Sequence, residues 1–392
     1  MKAITKTVRV LSFISLFTDM ASEMLYPIMP LYLKSIGFSI VLIGVLEGVV
    51  EAAAGLSKGY FGKLSDTTGK RMPFIQLGYS LSALSKPLIV FFNAPLWVFF
   101  VRTIDRVGKG IRTGARDAVL SNEATPATKG KVFGFHRSMD TIGAVLGPLF
   151  ALIYLHYFPA NYKTLFLIAF APGLMAVLCS FLIKDKTPTP ILSNKKVSFF
   201  SFVLYWKQSP IQFRKLVFGL LLFTLFNSSD VFLLLRIKET GLSDTNVISV
   251  YIFYNLVYVL FAYPLGILAD KIGLKKIFVF GLFLFVLVYA GMSKATLPYQ
   301  FYIIFLLYGI YAAATEGISK AWISNIAAKE DTATAIGTYT AFQSLCTMLA
   351  SSFAGIVWYK YGSNATFILT AFVALIVVFY MLIYVKEKFS KS

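Results

Sequence analysis

The sequence predicts an all-α integral membrane protein, with twelve spanning helices arranged as two related six-helix bundles. Three observations carry that reading. Of 392 residues, 57% are hydrophobic and 14% charged, against roughly a quarter charged in an ordinary soluble domain. The apolar residues fall in long continuous runs. A stretch of loop sequence recurs in the second half at a fixed offset. A chain this apolar is not disordered, and folded in water it would expose too much apolar surface. Continuous runs favour helices over the weaker alternating pattern of a β-barrel.

A span needs roughly 20 mainly apolar residues to cross about 30 Å of hydrocarbon. Twelve runs meet that need, at about 9–34, 40–62, 72–92, 96–118, 131–155, 163–183, 214–237, 247–269, 275–293, 299–322, 333–359 and 364–385. The second, fourth and eleventh are interrupted by polar residues. The N-terminus is basic (Lys2, Lys6, Arg9) and then apolar, with no small-residue cleavage site. It reads as a first span, not a removed signal peptide. A longer basic connection, 184–213, holds Pro188, Pro190 and Pro210 and falls at the midpoint. The expected organisation is a bundle over 1–183, a linker over 184–213 and a bundle over 214–392.

The net charge is +19, from 37 Lys and Arg against 18 Asp and Glu. Those cations concentrate in alternate loops, such as Lys63, Lys70 and Arg71, then Lys184, Lys195, Lys196, Lys207, Arg214 and Lys215, then Lys271, Lys275 and Lys276. Cytoplasmic loops collect Lys and Arg in this way, so the excess needs no nucleic-acid partner. Both termini are then cytoplasmic, which agrees with an even number of spans. The expected location is a bacterial inner membrane. The two cysteines, Cys179 and Cys346, lie in apolar runs and imply neither a disulfide framework nor a metal site.

The repeat is specific. Gly62-Lys-Leu-Ser-Asp66-Thr-Thr-Gly69-Lys70-Arg71 returns as Gly266-Ile-Leu-Ala-Asp270-Lys-Ile-Gly273-Leu-Lys275, and Lys34-Ser-Ile-Gly37 returns as Lys238-Glu-Thr-Gly241, each 204 residues on. Duplicated six-helix halves place a substrate site between them. With these residues in view, the whole chain resembles the major facilitator superfamily. The Gly-x-x-x-Asp-x-x-Gly-Lys-Arg loop is similar to that family's signature between helices two and three, and the second copy sits between helices eight and nine. Gly143-Ala-Val-Leu-Gly147-Pro148 resembles the family's antiporter-associated motif, although Ala151 stands where a further Gly is usual. The run Asp105-Arg-Val-Gly-Lys-Gly-Ile-Arg112 departs from the family's commoner fourth-helix pattern. The resemblance implies a major facilitator fold and a monomeric secondary transporter rocking its halves around a central site.

The loop signature also reads physically. Glycines let helices approach closely. Asp66 falls at a helix end within reach of Lys70 or Arg71, with Asp117 a possible partner. Together with Gly62, Gly69, Asp270 and Lys275, such a cluster forms a latch to be broken in the alternate state. A plain surface salt bridge gives the same pattern, at about 0–1 kcal/mol.

Charges inside a span are functional candidates by default. Asp19 and Glu23 lie four apart in the first run, Glu47 and Glu51 four apart in the second. The fourth run holds Arg102, Asp105, Arg106, Lys109, Arg112 and Arg116 at steps of three and four, which makes one stripe. That stripe must face a cavity or a set of carboxylates. Five acids (Asp19, Glu23, Glu47, Glu51, Asp105) against four bases (Arg102, Arg106, Lys109, Arg112) suggest a paired network whose protonation can change. Asp19 and Glu23 are the first candidates for proton carriers, with Arg102 and Arg106 tuning them or binding substrate alongside Lys109. The same pairs could instead simply hold the bundle together.

The second half keeps fewer polar and charged residues in its spans: Asn227, Asp230 and Arg236 in the seventh run, Glu316 and Lys320 in the tenth. Glu316 and Lys320 are spaced to pair. Tyr251, Tyr254 and Tyr258 follow helical spacing and could line an aromatic wall for an organic substrate, or pack between helices. His136 and Asp140 are spaced as a helix-end pair beside Arg137. There is no phosphate-binding Gly-x-x-x-x-Gly-Lys-Ser/Thr, no metal motif and no recognisable catalytic constellation. The expected function is therefore non-enzymatic and cofactor-free. It is proton-driven export of a small organic compound, a drug or metabolite, by antiport. The alternatives are uptake of an anionic metabolite such as a polycarboxylate or iron-siderophore, suggested by the basic stripe, and a transporter-like membrane sensor.

Overall fold

The computed structural model describes residues 4–26, 28, 29, 32, 33, 36–38, 40–159, 161–185, 198, 200–227, 230–242 and 244–386. Every regular element among them is a helix. In chain order they are α1 (Lys6–Glu23), α2 (Ile40–Thr68), α3 (Met72–Leu88), α4 (Pro95–Asn122), α5 (Lys129–Tyr157), α6 (Tyr162–Ser180), α7 (Ser201–Gln208), α8 (Ile211–Phe226), α9 (Asp230–Glu239), α10 (Asp244–Ile272), α11 (Leu274–Met292), α12 (Pro298–Ile326) and α13 (Thr332–Tyr384). Local chemistry starts several of them. Thr5 caps α1 by accepting from the Val8 N–H at 3.3 Å, Asn161 caps α6, and Pro95 and Pro298 open α4 and α12, where a missing N–H costs nothing.

The runs map onto these helices with three informative differences. The first run extends to residue 34, whereas α1 ends at Glu23; beyond it Met29, Tyr32 and Leu33 are again helical, with the Met29 N–H donating to the Leu25 carbonyl at 2.9 Å. The seventh was drawn unbroken, but it is two helices. At Asn227 the backbone turns extended, with ψ 103°, and an Asn side chain competes for backbone partners. The last two runs form one trace, α13, broken at Gly362 with φ 82°. A short helix, α7, lies inside the expected linker, while 186–197 of that linker are outside the described residues. Among the described residues, α5, α6, most of α10, α11, α12 and the 329–384 stretch are long and apolar enough to cross a membrane.

Two compact units are distinguished. The first comprises Met1–Glu123, Met139–Gln208 and Ala328–Ser344, and the second Ala124–Ser138, Ser209–Ala327 and Leu345–Ser392. In the first, α4 packs along α2 and α3, and α6 along α1 and α3. Its core gathers Leu25, Tyr32, Val50, Val101 and Phe166. In the second, α12 packs along α10 and α11, burying Tyr258, Phe278, Phe285, Tyr289 and Trp322. Large apolar side chains also stand outward, such as Phe92, Leu96, Leu178, Phe181, Phe372 and Phe379. This is the surface a hydrocarbon solvent requires, and it accounts for the surplus in the composition.

The α5 motif acts by close approach. A Cβ at Gly143 would strike the Leu16 carbonyl, and one at Gly147 would lie 2.5 Å from the Met20 oxygen. Pro148 follows inside the same helix. The two glycines therefore seat α5 on the backbone of α1 on either side of Asp19 and Glu23. Replacing Gly143 by Leu should cost roughly 1–3 kcal/mol through forced separation of the helices. By contrast Gly355, whose added Cβ would meet nothing nearer than 3.8 Å, should accept Ala. Thermal unfolding of the purified protein measures both, and a Gly143→Leu protein melting at the wild-type temperature would rule out this contact.

Candidate functional site

The stripe of α4 is answered from three helices of its own unit. Asp105 receives Lys86 of α3 at 2.8 Å and Arg102 at 3.9 Å. Glu51 of α2 receives Arg106 at 3.9 Å and Lys58 at 4.0 Å. Arg112 donates to Ser82 at 3.0 Å and lies 4.5 Å over the Tyr79 ring. Arg116 holds Asp117 at 2.9 Å and donates to Ser15 at 3.2 Å. Lys109 is exposed and, with Arg112, is an electrostatic neighbour of Asp19. The acids around Asp19 are Asp140 of α5 and Glu23. The side chain of Glu47 is outside the described residues.

A small pocket opens beside this network. Ser22, Ser85, Lys86, Arg102 and Asp105 give it a polar wall, and Leu25, Met29, Ile89, Val101 and Phe166 an apolar one. Lys86 is only 4% exposed and also reaches Ser22 at 3.4 Å.

The second unit gathers a different chemistry. The Asp230 carboxylate accepts from the Tyr308 hydroxyl at 2.5 Å. Asn227 and the hydroxyls of Tyr311 and Tyr289 lie at hydrogen-bond limit, 3.5 Å each. Tyr254 stacks on Tyr308 at 5.0 Å, with Tyr251 next along α10 at 6.1 Å. Glu316, 46% exposed, pairs with Arg137 of α5, a partner from another helix. Arg236 turns to Glu239 at 3.3 Å.

A model of the Major Facilitator Superfamily matches residues 11–251 and 216–392. The chain belongs to the major facilitator superfamily. An uncharacterised MFS-type transporter of Methanocaldococcus jannaschii is 33% identical over 96% of this chain and 94% of its own length. A multi-drug resistance efflux pump PmrA homolog of Lactococcus lactis is 21% identical over 88% of this chain and 87% of its own. The fold matches the E. coli fucose:proton symporter with a TM-score of 0.81 at 11% identity, covering 99% of this chain and all of that one. This superfamily member is thus an MFS-type transporter, not an enzyme, and a multi-pass membrane protein.

The superfamily's loop motif does its work through backbone amides. Asp66, 3% exposed, accepts from the Thr334 N–H and hydroxyl at 2.5 Å each and from the Ala333 N–H at 3.3 Å. Arg71 closes on it from the other side. A Cβ at Gly62 would lie 2.5 Å from the Ala333 carbonyl, and Gly69 turns the chain with φ 67°. Lys70 is exposed. In the second copy Asp270 accepts from the Gly130 and Lys131 N–H groups at 2.7 Å. Lys275 serves elsewhere, donating to the carbonyls of Leu382 and Val385. Asp117, suggested as a partner for Asp66, is held by Arg116 of its own helix.

Two participants escaped the sequence reading. Lys86 is the one charge in an otherwise uncharged run, which was signal enough. Asp140 was assigned to a helix-end pair with His136. Both Lys86 and Asp140 are buried, and Asp140 is also an electrostatic neighbour of Asp19. Removing one partner of a buried ion pair costs about 3–5 kcal/mol, while removing both costs far less. Lys86→Ala should therefore lower the melting temperature and the yield of folded protein, and Lys86→Ala with Asp105→Ala should recover part of the loss. A double variant no more stable than the single one would show that the two residues do not act as a pair.

Proposed function

We propose that this transporter exports a small organic solute in exchange for protons, by alternating access across the cytoplasmic membrane with both termini inside. The observation that carries the reading is the acid and base cluster of Asp19, Glu23, Asp140, Lys109 and Arg112 inside a spanning bundle. A group of three acids and two bases can exist with one proton more or less, and shifting its neighbours changes which state is favoured. The antiporter-like glycines Gly143 and Gly147 press α5 against α1 at this level, so movement of either helix alters the surroundings of Asp19. Likeness to a multi-drug efflux pump over most of the chain supports export. The Asp66 and Asp270 contacts serve as latches that open and close with the cycle.

Uptake of an anion finds some support in the pocket lined by Lys86 and Arg102. There Asp105 pairs with both cations, which leaves one net positive charge. Export is preferred on the acid and base cluster around Asp19 and on the likeness to an efflux pump.

The test is transport in inside-out vesicles under an imposed pH gradient, acid inside, with a panel of labelled organic compounds of differing charge. Accumulation coupled to proton release is expected. Asp19→Asn with Glu23→Gln should lower the proton-driven rate by about tenfold or more, or at least about 1.4 kcal/mol in barrier. Undiminished proton-driven transport in that variant would remove both residues from coupling, and accumulation only in right-side-out vesicles would reverse the direction.

A further inference from the structure

The break in the seventh span sets two polar residues within a membrane-spanning unit. α8 ends at Asn227 and α9 begins at Asp230. Among the described residues the Asp230 carboxylate makes no ion pair, and the Tyr308 hydroxyl is its side-chain hydrogen-bond partner. Tyr308 lies in a row of rings: 5.0 Å from Tyr254 at an interplanar angle of 29°, and 5.4 Å from Tyr311 at 25°. These three rings are buried. Asp230 and Tyr251, which extends the row, are half-buried. Arg137 acts on this carboxylate electrostatically but is not in ion-pair contact with it, and an intramembrane carboxylate without a contacting cation is costly unless one visits it.

The same unit shows how such a surface holds a cation. Arg137 stands 5.2 Å over the Tyr258 ring, donates Nε–H to its hydroxyl at 2.5 Å and pairs with Glu316. Tyr258 and Tyr254 are one helical turn apart on α10, their rings 6.1 Å from each other. A carboxylate and a tyrosine thus enclose a cation supplied by the chain. One turn along, Asp230 with Tyr254 and Tyr308 repeats the carboxylate and the rings and leaves the cation out. Tyrosine faces attract positive charge, whereas an anionic solute would add repulsion to Asp230.

We infer that Asp230, Tyr308 and Tyr254 form a subsite for an organic cation, an alkylammonium or arylammonium group. It rests on the export reading for its role as the transported solute's handle. The carboxylate supplies the charge, the rings supply the shape, and the Tyr308 hydroxyl fixes the carboxylate's rotamer.

The test is equilibrium binding of tritiated tetraphenylphosphonium to the purified full chain in detergent micelles. No pH gradient is present, so the result is independent of coupling and direction. Saturable binding is expected, displaced by ethidium and not by the anion anilinonaphthalene sulfonate. Asp230→Asn should weaken it by about tenfold and Tyr308→Phe by about threefold. Should Asp230→Asn fail to fold, Tyr308→Phe decides, because it keeps the ring and loses one hydroxyl. No saturable cation binding, equal displacement by the anion, or unchanged affinity in the folded variants would overturn the subsite. Cation binding with these losses but no proton-driven export in inside-out vesicles would sink the export reading and leave the subsite standing. Export confined to neutral or anionic compounds would do the reverse.

Discussion

An ionised side chain in hydrocarbon must be answered by another group, and the first unit is organised by that requirement. α4 carries seven charged residues between Arg102 and Asp117, more than any span tolerates facing lipid. Each neighbour that packs on α4 brings answers to it: Glu51 from α2, Lys86 and Ser82 from α3, Ser15 and Asp19 from α1. Salt bridges at 2.8 to 4.0 Å demand that the backbones come close, and the glycines supply the approach. A Cβ at Gly78 of α3 would lie 2.6 Å from the Gly108 carbonyl of α4. The charged stripe and the small-residue stripe are therefore one device. Without the glycines the pairs would open, and without the pairs α4 could not lie in the bundle.

The second unit solves a different problem with different residues. Its polar groups include tyrosine hydroxyls, Asn227 and the carboxylates of Asp230 and Glu316, the latter paired with Arg137. Phe285 and Tyr289 stack at 4.2 Å, and Tyr308 joins Tyr254 to Tyr311. The repeat in sequence thus preserves the helical frame while the interior chemistry diverges. At the 204-residue offset Glu51 becomes Asn255, Asp105 becomes Gly309 and Lys109 becomes Ala313. One unit is equipped to handle ionic charge and the other to present aromatic faces.

The helical class was readable because the membrane imposes length and polarity on each span, and both show in a window of twenty residues. The charge stripe of α4 was readable because steps of three and four are geometry. Partners across helices were not. Spacing along one helix pairs Asp140 with His136 and Glu316 with Lys320, but it does not report that Asp140 neighbours Asp19 of α1 or that Glu316 pairs with Arg137 of α5. The break at Asn227 was legible in Asn-Ser-Ser once one asks which residues compete for backbone groups, but hydrophobicity alone ran straight across it. Lys86 stands alone as a charge in its run. A solitary charge in a span has no local partner, and for that reason its partner must lie on another helix.

The two copies of the loop motif separate what the motif needs from what it merely carries. In both, the aspartate accepts from consecutive backbone N–H groups at the start of a helix: Ala333 and Thr334 of α13 for Asp66, Gly130 and Lys131 of α5 for Asp270. Those N–H groups have no partner within their own helix, and the helix dipole favours a carboxylate there. The basic residue is not used alike. Arg71 folds back onto Asp66, whereas Lys275 caps the carbonyl end of α13. Divergence was therefore tolerated in the cation and not in the carboxylate. A salt bridge cannot be the common principle of the two loops. The common principle is a carboxylate held by the backbone N–H groups at the start of a helix.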